Sequence, residues 1–251
     1  MAARTRQKAK SARASAPTYQ RMLAALEEHA DAKRAVAVAR YFKTGPGEYG
    51  EGDVFIGLTV PQIRTLAREL KAASLETVER LLTHPIHEAR ALALMIMTMQ
   101  YERADVSGRT RIFRSYVRRL EHVNNWDLVD GSAPTLAGGE LERPAALKLI
   151  DRWSRSRSVW ERRVAVLATL TAIRNAEFAL TFRLCERLLK DEHDLIHKAC
   201  GWMLREVGKR DERALTRWLD RFAPRMPRTM LRYAIERFAE GRRGRYLKLK
   251  S

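Results

Sequence analysis

Four stretches of this chain lie in one register: IHEARALAL from Ile86, VNNWDLVDG from Val123, VWERRVAVL from Val159 and IHKACGWML from Ile196, with starts spaced by 37, 36 and 37 residues. That interval is the length of a helix, a turn and a second helix. One such unit cannot bury its apolar face alone, so neighbours must stack and share a core. An irregular helical bundle would show this register only by accident. The remaining pattern agrees, because no stretch alternates apolar and polar residues with the two-residue period of a strand.

The punctuation sets the elements. Tyr19 to Lys43 reads as one or two helices ending in ARYFK, and TGPGEYGEGDVFIG, Thr44 to Gly57, is a glycine-rich break. Thr59 followed by Gln62 forms a capping-box pattern that opens a helix running to about Ala72, and Ser74 caps the next. Helices are then expected near 86–103, 107–122, 125–137, 143–155, 159–174, 177–190, 194–209, 212–222 and 227–240. The fold class expected is all-α, a HEAT-like repeat solenoid of stacked antiparallel helix pairs over residues 18–242, with the second helices lining a concave basic face. Residues 1–17, with Arg4, Arg6, Lys8, Lys10 and Arg13 and no acid, are expected to be a disordered basic tail, and 243–251 a basic C-terminal tail.

Charge narrows the partner. Lys and Arg number 48 against 30 Asp and Glu, a formal net charge of +18, which suits a polyanion: nucleic acid before a membrane surface. Cys185 and Cys200 sit in apolar helical patterns without a CxxC, so neither a disulfide scaffold nor a zinc site is expected. His193 and His197, spaced i, i+4, lack a third ligand, and HEA at His87 to Ala89 lacks the second His of a metalloprotease helix. No metal and no cofactor are expected. No apolar run approaches the roughly 20 residues that span a bilayer, and no secretory leader is visible, so a soluble intracellular protein is expected. Stacked units bury their own core, which suits a monomer.

The candidate functional residues lie on the second helices of three consecutive units. Trp126 and Asp130 share a helical face one turn apart. Arg163 ends WERR inside a strongly apolar helix, where an unpaired guanidinium is expensive, so it should meet a phosphate or a carboxylate. Trp202 and Arg205 follow in KACGWMLRE. Stacked helices lie about 10 Å apart, so these side chains can converge on one cleft. Taken singly, each Trp suits a core position better than a cleft, and Arg205 equally suits a solvated helix end beside Glu206.

ARYFK (Ala39 to Lys43), FIGL with VPQIR (Phe55 to Arg64), NNWDLVD (Asn124 to Asp130), VWERRVAVL and KACGWMLRE (Lys198 to Glu206) together, in this order, resemble the HEAT-like DNA alkylation-repair family, the AlkD-type DNA glycosylases. The resemblance spans about residues 19–240. It implies hydrolysis of the N-glycosidic bond of cationic alkylpurines, such as 3-alkyladenine and 7-alkylguanine, in double-stranded DNA, with the lesion left in the stack. It places the catalytic carboxylate on Asp130 with Trp126 as partner and Arg163 gripping phosphate beside the lesion. Trp202, Arg205, Lys198 and Tyr41, the last from the ARYFK helix, become DNA- or lesion-contacting residues. The chain departs from the glycosylase members between His29 and Tyr41, where there is little room for their short extra helix, and in the longer glycine-rich loop. A non-catalytic DNA-binding relative is therefore the alternative, and a HEAT-type protein scaffold a third reading.

The residue types fit the chemistry. Alkylation makes the purine a cationic leaving group that needs no protonation, and the sugar cation that develops wants a nearby anion. Asp130 can supply that charge and hold the attacking water. Indole faces at Trp126 and Trp202 favour a cation over a neutral base by about 0.5–2 kcal/mol each.

Overall fold

A computed structural model describes residues 16–249, and their secondary structure is helical apart from one isolated bridge pairing Val54 with Ile86. The helices are α1 (Tyr19–Glu27), α2 (Ala32–Tyr41), α3 (Val60–Leu70), α4 (Leu75–Leu82), α5 (His87–Arg103), α6 (Val106–Arg118) and α7 (Trp126–Leu136). They continue as α8 (Pro144–Trp153), α9 (Val159–Arg174), α10 (Ala179–Arg187), α11 (Asp194–Arg210), α12 (Glu212–Phe222), α13 (Arg228–Ala234) and α14 (Glu240–Leu247). The basic stretch 1–15 lies outside the described residues, and so does any reading of its role.

Local chemistry accounts for most helix starts. Thr18, Asp31, Ser74, Asp105, Ser158 and Asp211 each accept a first-turn backbone N–H with their side chain. Such a cap stabilises a helix by about 1 kcal/mol. The Thr59–Gln62 capping box forms in full at the head of α3.

The packing follows the repeat. Each of α3, α5, α7, α9, α11 and α13 packs on the next, so the helices that carry the four repeat segments lie side by side in chain order. α4, α6, α8, α10 and α12 lie against this row, for instance α8 on α9 and α10 on both α9 and α11. A helix so covered has no polar face to show, which is why Ala89, Leu92, Ala93, Ile96 and Met97 on α5 and Val164 to Ala168 on α9 are all buried.

Several expected bounds shift. The helices expected near 107–122 and 177–190 end early, and their last residues tighten into 3-10 turns at Leu120–His122 and Leu188–Lys190. The helix expected over 227–240 stops at Ala234, and the break expected after 242 falls inside α14. The reason is tertiary: Tyr246 is 2% exposed, packs on Phe238 and donates to Asp220 Oδ1 at 2.6 Å, which docks the C-terminal segment on α12. Arg242 pairs with Glu212 of the same helix, so its guanidinium serves this docking.

Candidate functional site

The site is built on the first turn of α7. Asn125, fully buried, caps that helix by accepting from the Trp126 N–H at 2.8 Å, and its Nδ2 donates to Asp53 Oδ2 at 2.9 Å. Trp126 is thereby fixed as the first helical residue. Its ring stacks on Phe42 with centroids 5.1 Å apart and planes at 11°, and meets the edge of Tyr41 at 5.9 Å. One turn on, Asp130 reaches across to α9, where Arg163 Nε and Nη2 donate to its two oxygens at 2.7 Å each. Arg163 Nη1 donates to the Leu195 carbonyl at the head of α11, at 2.6 Å.

These groups border an open cavity of about 500 Å³. Tyr41, Trp126, Asp130, Arg163, Lys198, Trp202 and Arg205, the seven residues singled out in the sequence, all line it. They come from α2, α7, α9 and α11, and they meet because α7, α9 and α11 are adjacent in the row. Tyr41 is the most open of them, at 67% exposure.

Arg163 is 5% exposed and engaged by Asp130 and Leu195, so of the phosphate or carboxylate that its place in an apolar helix called for, the folded chain itself supplies the carboxylate. The two other lining cations are also paired: Lys198 with Asp194 at 2.7 Å, and Arg205 with Glu236. Trp202 Nε1 donates to Glu206 Oε1 at 3.0 Å, which orients that indole. Burial raises the Asp130 pKa; Arg163 pulls it back without cancelling the effect, and neighbouring Asp127 adds to the rise. Asp130 is an anion kept at some cost on the wall of an aromatic cavity.

Two features escaped the sequence reading. Tyr49, from the glycine-rich loop, lines the cavity with Tyr233 of α13. Behind Trp126 lies a buried polar network: His87 bridges Asp53 through Nδ1 and Asp127 through Nε2, both at 2.8 Å. Arg90 pairs with Asp53 as well. Burial alone would lower the His87 pKa, but the two carboxylates outweigh it and hold it at about 9. Glu88 accepts from the backbone N–H groups of Ile56, Gly57 and Leu58, the shortest at 2.7 Å. The signal was present in IHEARALAL, where three charged or titratable side chains interrupt a helix apolar on every face. The argument that demands a partner for Arg163 demands partners for His87, Glu88 and Arg90 too.

His193 caps α11 through Nδ1, and His197 bonds the Asp191 carbonyl, so both serve the helix start. Among the described residues no cluster of three or more His, Cys, Asp or Glu is placed to hold a metal, and no helix is long and apolar enough to cross a membrane.

Over residues 22–238 the chain matches the model of a family described as DNA alkylation repair enzyme. Among solved structures it is similar to a predicted DNA alkylation repair enzyme from Enterococcus faecalis, with 16% identity, a TM-score of 0.66, and coverage of 84% of this chain and 98% of that one. It is also similar to smu.31 from Streptococcus mutans UA159, with 15% identity, a TM-score of 0.50, and coverage of 88% and 99%. At these identities the likeness is one of fold. No curated protein matches the chain.

Proposed function

The chain belongs to the DNA alkylation repair enzyme family, and on that premise we propose that it is a DNA N-glycosylase that releases cationic alkylpurines from double-stranded DNA, acting as a monomer without a cofactor. The observation that carries this reading is the Asp130 carboxylate on the wall of a cavity that it shares with five aromatic rings, its lining cations being paired with carboxylates. A cationic purine suits the rings of Trp126 and Trp202, and a neutral purine gains less there. As the C1′–N bond breaks, its electron pair leaves with the purine and cancels the positive charge. Positive charge then develops on the sugar opposite Asp130. Water adds to C1′ and gives up a proton, and the raised pKa of Asp130 favours taking it before it passes to solvent. The products are the free base and an abasic sugar. Arg163 acts by holding the carboxylate in one orientation through its two hydrogen bonds. Lys198, Arg205 and Tyr41 border the cavity as contacts for the DNA around the lesion.

A second reading has an observation of its own. Both Asp130 oxygens are engaged by Arg163, and only four residues separate α1 from α2, too few for a further helix. A non-catalytic relative that binds damaged DNA would show the same features. The deciding experiment is release of 3-methyladenine and 7-methylguanine from methylated duplex by the wild type and by Asp130→Asn. The glycosylase reading expects release that falls roughly 100-fold or more in the variant. Salt-sensitive DNA binding without release from the wild type would sink it and favour the second reading.

A further inference from the structure

The connection from α2 to α3 runs from Phe42 to Thr59, far longer than the two to eight residues that usually join packed helices. It is nonetheless pinned along its length. The Gly50 N–H donates to the Lys43 carbonyl at 3.0 Å, Asp53 is gripped by His87, Arg90 and Asn125, and the His87 N–H donates to the Val54 carbonyl at 2.8 Å. The Ile56 carbonyl accepts from the Asp31 N–H at 2.8 Å, and Glu88 takes the next N–H groups of the loop. At Gly50 a Cβ would lie 2.4 Å from the Phe42 carbonyl oxygen, so only glycine permits the close approach that turns the chain there.

This scaffolding delivers a single loop side chain to the cavity, Tyr49. Its ring meets Trp160 of α9 edge-on at 6.1 Å, and the Lys43 ammonium lies 6.0 Å from its centroid, at the outer limit of a cation–π contact. Tyr49 thus comes from the N-terminal part of the chain yet stands against α9, beside Trp126 of α7 and Lys198 of α11. Core packing does not explain this: the ring is part-exposed, while the segment that follows it is fixed by hydrogen bonds at Gly50, Asp53 and Gly57.

We infer that Tyr49 is a specificity-determining residue, an aromatic wall carried by the glycine-rich loop against which a cationic base rests, so that the loop helps the cavity select charged lesions over normal bases. The inference rests on the reading of the cavity as a site for cationic alkylpurines, but not on hydrolysis. Its ring acts through its face, so phenylalanine can replace it and leucine cannot. The neighbouring Trp126 and Trp202 contribute in the same sense, and Tyr49→Leu therefore weakens the preference without abolishing it.

The test compares dissociation constants, below neutral pH where the lesion is fully charged, for duplexes with and without one 7-methylguanine. The wild type, Tyr49→Phe and Tyr49→Leu are measured in parallel. The expected result is a wild-type preference for the methylated duplex that Tyr49→Phe keeps and Tyr49→Leu reduces about threefold to tenfold. The preference is read as the ratio of the two constants for each protein, so that a change in the phosphate contacts common to both duplexes cancels. An unchanged preference in Tyr49→Leu, or no preference in the wild type, overturns the inference. A measurement on the wild type alone guards against a misfolded variant: nitration of Tyr49 by tetranitromethane, followed by peptide mass, should be slowed by the methylated duplex more than by the unmodified one. Equal protection overturns the inference. Base release that fails while the preference and its loss in Tyr49→Leu persist would refute hydrolysis and leave Tyr49 in its role. Normal base release with an unchanged preference would do the reverse.

Discussion

Arg163→Met tests whether Asp130 and Arg163 are one buried unit. The two side chains are 18% and 6% exposed and share two hydrogen bonds of 2.7 Å. Removing one partner of a buried ion pair destabilises by about 3–5 kcal/mol, because the other charge is left uncompensated. Asp130 keeps some contact with the cavity, so the lower end applies, about 3 kcal/mol, which in a domain of this size lowers Tm by roughly 10 °C. The pH dependence is more diagnostic than the size. Burial already holds the folded-state pKa of Asp130 above its ordinary value, and Arg163 is the main influence opposing it, so the substitution raises that pKa further. A carboxyl whose folded pKa exceeds its unfolded one favours the fold when protonated, and that advantage is lost as pH rises from about 4 through the folded value. Urea unfolding of wild type and Arg163→Met between pH 4 and 8 should therefore show a gap that widens with pH. The double substitution Asp130→Leu, Arg163→Met should recover most of the loss, since it removes both charges. A gap below about 1 kcal/mol, or one that does not change with pH, would refute the view that Arg163 is the charge that makes a buried Asp130 tolerable.

Three other perturbations have defined outcomes. His87 has a folded pKa of about 9 against 6.5 for the free side chain, so its contribution to stability is complete below pH 6.5 and lost as pH rises through 9. Wild-type urea midpoints should fall across that window, and His87→Gln, which leaves Asp53 and Asp127 with one cation fewer beside Arg90, should be destabilised with the fall abolished. Gly57→Ala should cost about 2 kcal/mol or more in thermal unfolding, because Gly57 has φ +88° and a Cβ there would lie 2.2 Å from the Asp31 carbonyl oxygen. A neutral Gly57→Ala would mean that the loop can rebuild its path over α2. Tyr246→Ala should cost about 3 kcal/mol in urea unfolding if α14 is part of the folded unit, because it empties a buried aromatic site; an unchanged midpoint would mark that segment as an appendage.

The helical class and most helix starts were legible because they rest on local chemistry. The 37, 36 and 37 spacing, the Thr59–Gln62 box and the cap at Ser74 involve residues close in sequence, so their geometry follows from the helix alone. The same holds for Trp126 and Asp130 sharing a face, and, with the stacking of successive units added, for the arrival of Trp126, Asp130, Arg163, Trp202 and Arg205 at one cavity; Tyr41 and Lys198, which line it too, were chosen on the family resemblance. The identity of each charged group's partner was not local. Arg163 needed an anion, but only the packing of α9 on α7 made that anion Asp130. The C-terminal helix was missed because what organises it is Tyr246 buried against α12, a contact 26 residues distant in sequence. The glycine-rich loop read as a break because its residues have no periodicity, and its shape is imposed from outside by His87, Glu88 and Asn125. Periodicity and caps specify which backbone groups are satisfied within a segment; desolvated charges find their partners across segments, and that is settled only when the helices pack.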